Sequence, residues 1–206
     1  MYWWNSEHKV AVIEIPKNAS SSFRENFKYW ISLDNNLLSK NNEAEEIIVV
    51  FRDPYERFLS ALNMFMKRSH WIALPNVKGH HPNFVYSGGD SLRDLFPLFL
   101  PDGNNGKFNI VDIHFELQHP SIHSIMYEKC PEKYTFFWMS GDVVLDVQTY
   151  LWNKYKISPP RYGRIYQNMT GDQIIKEVNR KFVEYTYKDD YEFFDKITKE
   201  HGWKNK

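Results

Sequence analysis

The sequence predicts an α/β fold, a single domain with a central parallel β-sheet flanked by helices. Three observations carry this. Residues 9–15 and 47–51 are short apolar runs rich in β-branched side chains, the pattern of strands buried on both faces. Each run is followed by a turn and then by apolar residues at helical spacing. Strand, helix, strand and helix thus alternate within the first 68 residues, an order that favours parallel pairing through crossover helices. A chain of 206 residues is the size of one ordinary domain.

Taken in order, residues 9–15 form the first strand, and a helix over 22–32 places Phe23, Phe27, Trp30 and Ile31 on one face. Residues 47–51 form the second strand and 53–68 the second helix. The stretch 70–110 is broken by Pro75, Gly79, Pro82, Gly88, Gly89, Pro97, Pro101, Gly103 and Gly106, and reads as long loops around a short helix at 91–99. Residues 134–138 form a third strand and 142–154 a third helix. A Pro159-Pro160 turn leads to a polar loop, and 171–200 form one or two helices with Thr170 as a cap.

Composition removes several function classes. Lys plus Arg equals Asp plus Glu at 26 each, so the chain is not a strongly basic nucleic-acid binder, although a local basic pocket is compatible with neutrality. The lone Cys130 excludes an internal disulfide framework and any multi-cysteine zinc site. His114, His119 and His123 match no compact zinc spacing, and Pro120 interrupts any helix that would align the last two, so no metal is expected. No apolar run reaches the ~18 residues of a membrane helix, and Met-Tyr-Trp-Trp-Asn-Ser-Glu-His lacks a signal-peptide pattern. The expectation is a soluble, cytoplasmic protein.

Two motifs carry chemistry. Pro16-Lys17-Asn18-Ala19-Ser20-Ser21-Ser22-Phe23 joins the first strand to the first helix, where backbone N–H groups, a lysine and three hydroxyls converge as an anion site. The loop is P-loop-like in position but lacks the glycines and the Gly-Lys-Ser/Thr ending of a Walker A motif. Ser22 with Glu25 three residues on also fits a plain capping box. The second motif is Arg52-Asp53-Pro54-Tyr55-Glu56-Arg57-Phe58-Leu59-Ser60-Ala61. Asp53, Pro54 and Glu56 are explained as N-cap, first helical residue and capping-box partner. Arg52 at the carboxyl end of a strand, with the Ser60 hydroxyl two turns along the helix, suits a second phosphate, although a structural ion pair would also explain Arg52. Two anion sites after two strands imply a ligand with two separated phosphates.

Together these motifs resemble the sulfotransferases that use 3′-phosphoadenosine 5′-phosphosulfate (PAPS). Pro16-Lys17 and the hydroxyl-rich turn resemble the loop that holds the 5′-phosphosulfate; Arg52 and Ser60 resemble the 3′-phosphate site. The string RDPYERFLSA is closest to carbohydrate sulfotransferases of the chondroitin, dermatan and HNK-1 type and their bacterial relatives. Tyr187-Lys-Asp-Asp-Tyr191-Glu-Phe-Phe194 resembles the DYELF ending of those enzymes, so the likeness spans about 9–194. The resemblance implies transfer of a sulfuryl group from PAPS to an acceptor hydroxyl, carbohydrate in that branch, leaving PAP and needing no metal. Lys17, Asn18, Ala19, Ser20, Ser21 and Ser22 would hold the donor's 5′ end, with Lys17 neutralising the leaving oxygen. Arg161 and Arg164, in a late basic loop, would add to Arg52 and Ser60 at the 3′-phosphate. The acceptor would meet the 70–110 loops.

The acceptor hydroxyl needs a general base. Asp112-Ile-His114-Phe-Glu-Leu-Gln118 resembles the HW/HF…Q segment of the carbohydrate branch and nominates His114. An ordinary packed or surface histidine is the bland alternative for His114. Asp34, Glu43, Glu45, Glu46, His80 and His81 stay open as alternatives, and Glu25 is absorbed by capping. Trp138 and Trp152 read as core rather than as an adenine platform. Rival readings are a small-molecule kinase with a degenerate phosphate loop and a nucleotide-binding module without catalysis. Oligomeric state and the individual acceptor are not legible in the sequence.

Overall fold

The chain opens as an aromatic hairpin. Tyr2–Asn5 (β1) pairs antiparallel with Val10–Ile13 (β2), Tyr2 opposite Ile13 and Asn5 opposite Val10. The Asn5 side chain accepts a hydrogen bond from the His8 N–H at 3.0 Å, and Lys9 takes a left-handed φ of 53°, which together close the turn. The computed structural model describes residues 2–33, 43–67, 117–118, 127, 129–140, 142–157 and 180–205.

Ser20–Asn26 (α1) follows β2, then Ile31–Leu33 (β3), Glu46–Phe51 (β4) and Pro54–Lys67 (α2). A single 3-10 turn at Pro131–Lys133 leads into Tyr134–Trp138 (β5), followed by Val143–Tyr155 (α3), Arg180–Thr186 (α4) and Lys188–Glu200 (α5). The sheet order is β3-β1-β2-β4-β5. β4 lies parallel to both β2 and β5, while β1 is antiparallel to β2 and β3.

The fold is therefore α/β, but its sheet is mixed rather than parallel. The strands the sequence predicts at 9–15, 47–51 and 134–138 are the parallel ones. The two unpredicted strands, β1 and β3, form the antiparallel side. The helix expected over 22–32 ends at Asn26, and its last residues turn back to pair with β1, Trp4 opposite Ile31. Three of the four apolar side chains counted toward that helix still face one core, because Phe27 and Trp30 pack beside Phe23 after the helix has stopped, whereas Ile31 is exposed on β3.

Alternation along the strands splits the core in two. On one face Trp3, Val10, Val12, Ile48, Val50 and Phe137 pack under α1 and α3, which contribute Phe23, Val143, Val147 and Leu151. On the other, Trp4, Ala11, Ile13, Val49, Phe51 and Phe136 pack with Tyr127 and with Phe193 and Ile197 of α5. The open edge of β5 is covered by the residues after α5. The Lys204 N–H donates to Phe136 C=O at 3.0 Å, the Trp138 N–H donates to Asn205 Oδ1 at 2.9 Å, and Asn205 Nδ2 donates to Trp138 C=O at 3.0 Å. By internal contacts the chain divides into two units, 1–53 with 117–170 and 189–206, and 54–116 with 171–188. The first holds the sheet. In the second, Phe58 of α2 meets the Tyr187 ring edge-on at 5.9 Å, and the Arg180 guanidinium lies 4.2 Å from the centre of the Tyr55 ring.

Candidate functional site

β2 and β4 are adjacent and parallel, Ile13 beside Val49, so the segments that leave their carboxyl ends emerge at the same edge of the sheet. That is where open α/β sheets place ligands. The turn after β2 is tight: the Asn18 N–H donates to Ile15 C=O at 3.1 Å. Lys17 (φ 70°) and Ala19 (φ 60°, ψ 20°) both adopt the left-handed region without being glycine. Each carries about 1–2 kcal/mol of backbone strain, which persists only where surrounding bonds fix the turn. Arg52, the first residue beyond β4, donates from Nη1 to the Lys17 carbonyl at 3.1 Å. The two cationic residues singled out in sequence thus stand on one edge and in one hydrogen-bonded unit.

Beneath them lies a buried amide network. Asn18, 1% exposed, donates from Nδ2 to Val50 C=O at 2.8 Å and to Gln118 Oε1 at 2.6 Å. Gln118, fully buried, meets the Arg52 backbone twice. Its Oε1 accepts from the Arg52 N–H at 3.2 Å and its Nε2 donates to the Arg52 carbonyl at 2.8 Å. The Gln118 backbone N–H in turn donates to both oxygens of Asp190, each at 2.8 Å. Asp190 is completely buried in the first turn of α5. Three separate motifs of the sequence, the Lys17 loop, the His114–Gln118 segment and the Tyr187–Phe194 string, therefore meet through described members Asn18, Gln118 and Asp190.

The remaining candidates are distributed as follows. Asn18 is committed to the fold through its amide nitrogen, and its Oδ1 is buried without a hydrogen-bond partner. Ala19 is the N-cap of α1 and supplies no side-chain cap. Ser20 is half-buried and Ser21 exposed in the first turn. Ser22 is the third helical residue and buried, so the capping box with Glu25 does not form; its carbonyl accepts from Asn26 Nδ2 at 2.7 Å. With seven residues, α1 is too short for a large end field. Ser60 is half-buried on α2, in the second unit. His114, Arg161, Arg164, Asp34, His80 and His81 lie outside the described residues, as do the 70–110 loops.

The acidic alternatives Glu43, Glu45 and Glu46 precede or begin β4 and so belong to the opposite, amino edge of the sheet. Glu43 and Glu45 are exposed, with Glu45 3.2 Å from Lys9 Nζ. Glu46, by contrast, is buried, accepting from Thr135 Oγ1 and Tyr150 Oη on Oε1 and from Tyr155 Oη on Oε2, each at 2.5 Å, with Lys154 Nζ 3.1 Å from Oε2. Burial raises its pKa, but the hydrogen bonds from Thr135, Tyr150, Tyr155 and Lys154 outweigh burial and hold it below the ordinary glutamate value. Burial and the Glu46 hydrogen bond push Tyr155 up to about 12. Burial and the same carboxylate also raise Tyr150.

Trp138 packs among Phe194 and Trp203 at ring distances of 5.1 and 5.5 Å, as core. Trp152 is 38% exposed on α3, so the expectation that it is core fails. Gln118 and Asp190 stand within motifs of the sequence but carry no functional expectation there. The usable signal was an amide and a carboxylate standing beside apolar residues in segments that resemble the same family. Comparison with known protein families, curated proteins and solved structures returns no match.

Proposed function

We propose that the chain is a PAPS-dependent sulfotransferase that moves a sulfuryl group to an acceptor hydroxyl, with carbohydrate as the acceptor class. The observation that carries this reading is the Arg52 Nη1 to Lys17 carbonyl bond at 3.1 Å, which sets two cationic side chains on one sheet edge above a strained, hydrogen-bonded turn. A donor with phosphates at both ends of a nucleoside needs two cationic positions held at fixed separation. Lys17 serves the 5′-phosphosulfate and Arg52 the 3′-phosphate.

In the reaction the acceptor oxygen attacks sulfur, the bond from sulfur to the bridging phosphate oxygen breaks, and PAP leaves with that electron pair. The acceptor's proton passes to a base, for which His114 is the candidate. Negative charge grows on the bridging oxygen, and the Lys17 ammonium lowers the barrier by standing next to it. Ser20 and Ser21 hydroxyls and the loop N–H groups complete the cradle.

Calorimetric titration with PAP, adenosine 5′-phosphosulfate and ATP tests the reading on wild type and Arg52→Ala. PAP is expected to bind tightest, and Arg52→Ala to lose about 10–100-fold of that affinity, the worth of charge-assisted hydrogen bonds. A folded wild type that ignores PAP overturns the proposal. Preference for ATP with Mg²⁺ would favour a kinase, and PAP binding without sulfuryl transfer to any hydroxyl a non-catalytic module.

A further inference from the structure

We propose that Gln118 is a positioning residue whose side-chain amide holds the Lys17 turn and Arg52 in one register, and that Asp190 fixes Gln118 in turn. For what the site binds, this rests on the reading above. The bonds form a closed circuit. The Arg52 guanidinium donates to the Lys17 carbonyl, Lys17 is joined by its peptide bond to Asn18, Asn18 Nδ2 donates to Gln118 Oε1, and Gln118 grips the Arg52 backbone on both sides. Cutting any arm lets the turn and the strand end move independently.

Only an amide of this length satisfies the circuit. The Arg52 N–H can only donate and its carbonyl only accept, so the partner must present an acceptor and a donor side by side, as a neighbouring strand would. Gln118 supplies that pair just past the point where β4 ends at Phe51, and its orientation follows from the same polarity. Glutamate keeps the shape and the acceptors but cannot donate when ionised; leucine keeps the volume and offers neither. Asp190, accepting from the Gln118 N–H with both oxygens, sets where the amide stands. Neither residue touches the ligand in this scheme. They act through Lys17 and Arg52.

The test uses Gln118→Glu and Gln118→Leu in the full chain, with PAP affinity by calorimetry at pH 5 to 8 expressed relative to wild type at each pH. Wild type corrects for titration of the phosphates. Both variants are expected to bind PAP about tenfold more weakly at pH 8. Gln118→Glu alone is expected to recover as pH falls, because its protonated carboxyl again donates to the Arg52 carbonyl; the described charged groups around it are Asp190, Arg52 and Lys17. A purely structural residue would not give a deficit reversed by one proton in one variant. Wild-type affinity in both variants, or equal pH response in both, overturns the inference and leaves the donor-site reading intact. If wild type does not bind PAP, amide hydrogen exchange decides. Gln118→Glu should speed exchange at Asn18 and Arg52 while Ile48 and Val50 in β4 keep wild-type protection, and unchanged exchange at Asn18 and Arg52 overturns it.

Discussion

At the amino end of β4 a buried carboxylate gathers three hydroxyls and an ammonium; at the carboxyl end of the same strand a buried amide gathers two backbone segments. Glu46 spends its charge on Thr135, Tyr150, Tyr155 and Lys154. Gln118, uncharged, spends its side-chain bonds on Asn18 and the Arg52 backbone, and the cationic side chains stand on the frame it makes. The lowered Glu46, the raised Tyr150 and a cleft of about 370 Å³ lined by Glu46, Tyr150 and Lys154 lie at the amino end. Perturbed titration there reflects a structural knot, a known confounder when such shifts are used to find sites. Strand polarity points to the other end, since open α/β sheets bind ligands outside the carboxyl ends of their strands.

The largest expected effect breaks the amino end. Glu46→Ala strands three hydroxyls and should cost about 3–5 kcal/mol, much of an ordinary domain's stability. Thermal and denaturant melts measure it, and PAP affinity of the folded fraction should be unchanged. Lost affinity without lost stability would move function to this edge. The pH dependence follows from the directions of shift. Glu46 has a folded pKa below its unfolded value of 4.5, so its contribution is present above 4.5 and is lost as pH falls through the folded value. Tyr155 rises from 10.0 to about 12, so its contribution is complete below 10 and fades as pH climbs toward 12. Glu46→Gln should therefore flatten the acid limb of a stability–pH curve.

Next in size, Lys17→Met should slow sulfuryl transfer by about 10²–10³-fold, the usual cost of removing one donor at a developing charge. Most of the stability should hold, because the Lys17 carbonyl and the Asn18 side chain, which both tie the turn to the sheet edge, are kept in the variant. Single-turnover rates and a melt on the same sample separate the two. A stability loss comparable to that of Glu46→Ala would mean that the carboxyl edge is a structural knot as well.

Sequence patterns exposed the parallel half of the sheet and hid the antiparallel half. The runs at 10–13, 47–51 and 134–138 are buried almost entirely, so apart from Thr135 they are apolar or aromatic and stand out. β3 is three residues at an edge, with Ile31 and Ser32 exposed, and its apolar residues extend a helical spacing that Phe23 and Phe27 had set. Lys17 and Arg52 stand out as a pair because each closely follows a predicted strand, although a structural ion pair would explain Arg52 taken alone. Gln118 and Asp190 do not, because a buried amide or carboxylate is recognised by its partners, and those lie 66 to 100 residues away for Gln118. Asn18 has a structural role the loop position does not announce: its amide nitrogen staples the loop to Val50.

A smaller prediction concerns the covered edge. Asn205→Ala removes the side chain that pairs both sides of Trp138 and also donates to Asp146 Oδ2 at 2.7 Å. A loss of about 1–2 kcal/mol is expected in chemical denaturation, with PAP affinity unchanged.

The smallest effect discriminates most sharply between a strained turn and a relaxed one. Ala19 sits at φ 60° and ψ 20°, where a methyl group crowds the backbone and glycine does not. Ala19→Gly relieves about 1–2 kcal/mol of strain in the folded state and adds about 0.4–1 kcal/mol of chain entropy to the unfolded one, so stability should be unchanged or rise, by at most about 1.6 kcal/mol. Ala61→Gly, in the buried interior of α2, gains nothing in return and should cost about 1 kcal/mol or more. Equal losses at the two positions would place Ala19 in ordinary right-handed geometry and remove the strained turn from the site. No loss at Ala19 with a clear loss at Ala61 would show that the turn is held left-handed by bonds made elsewhere, at Asn18, Gln118 and Arg52.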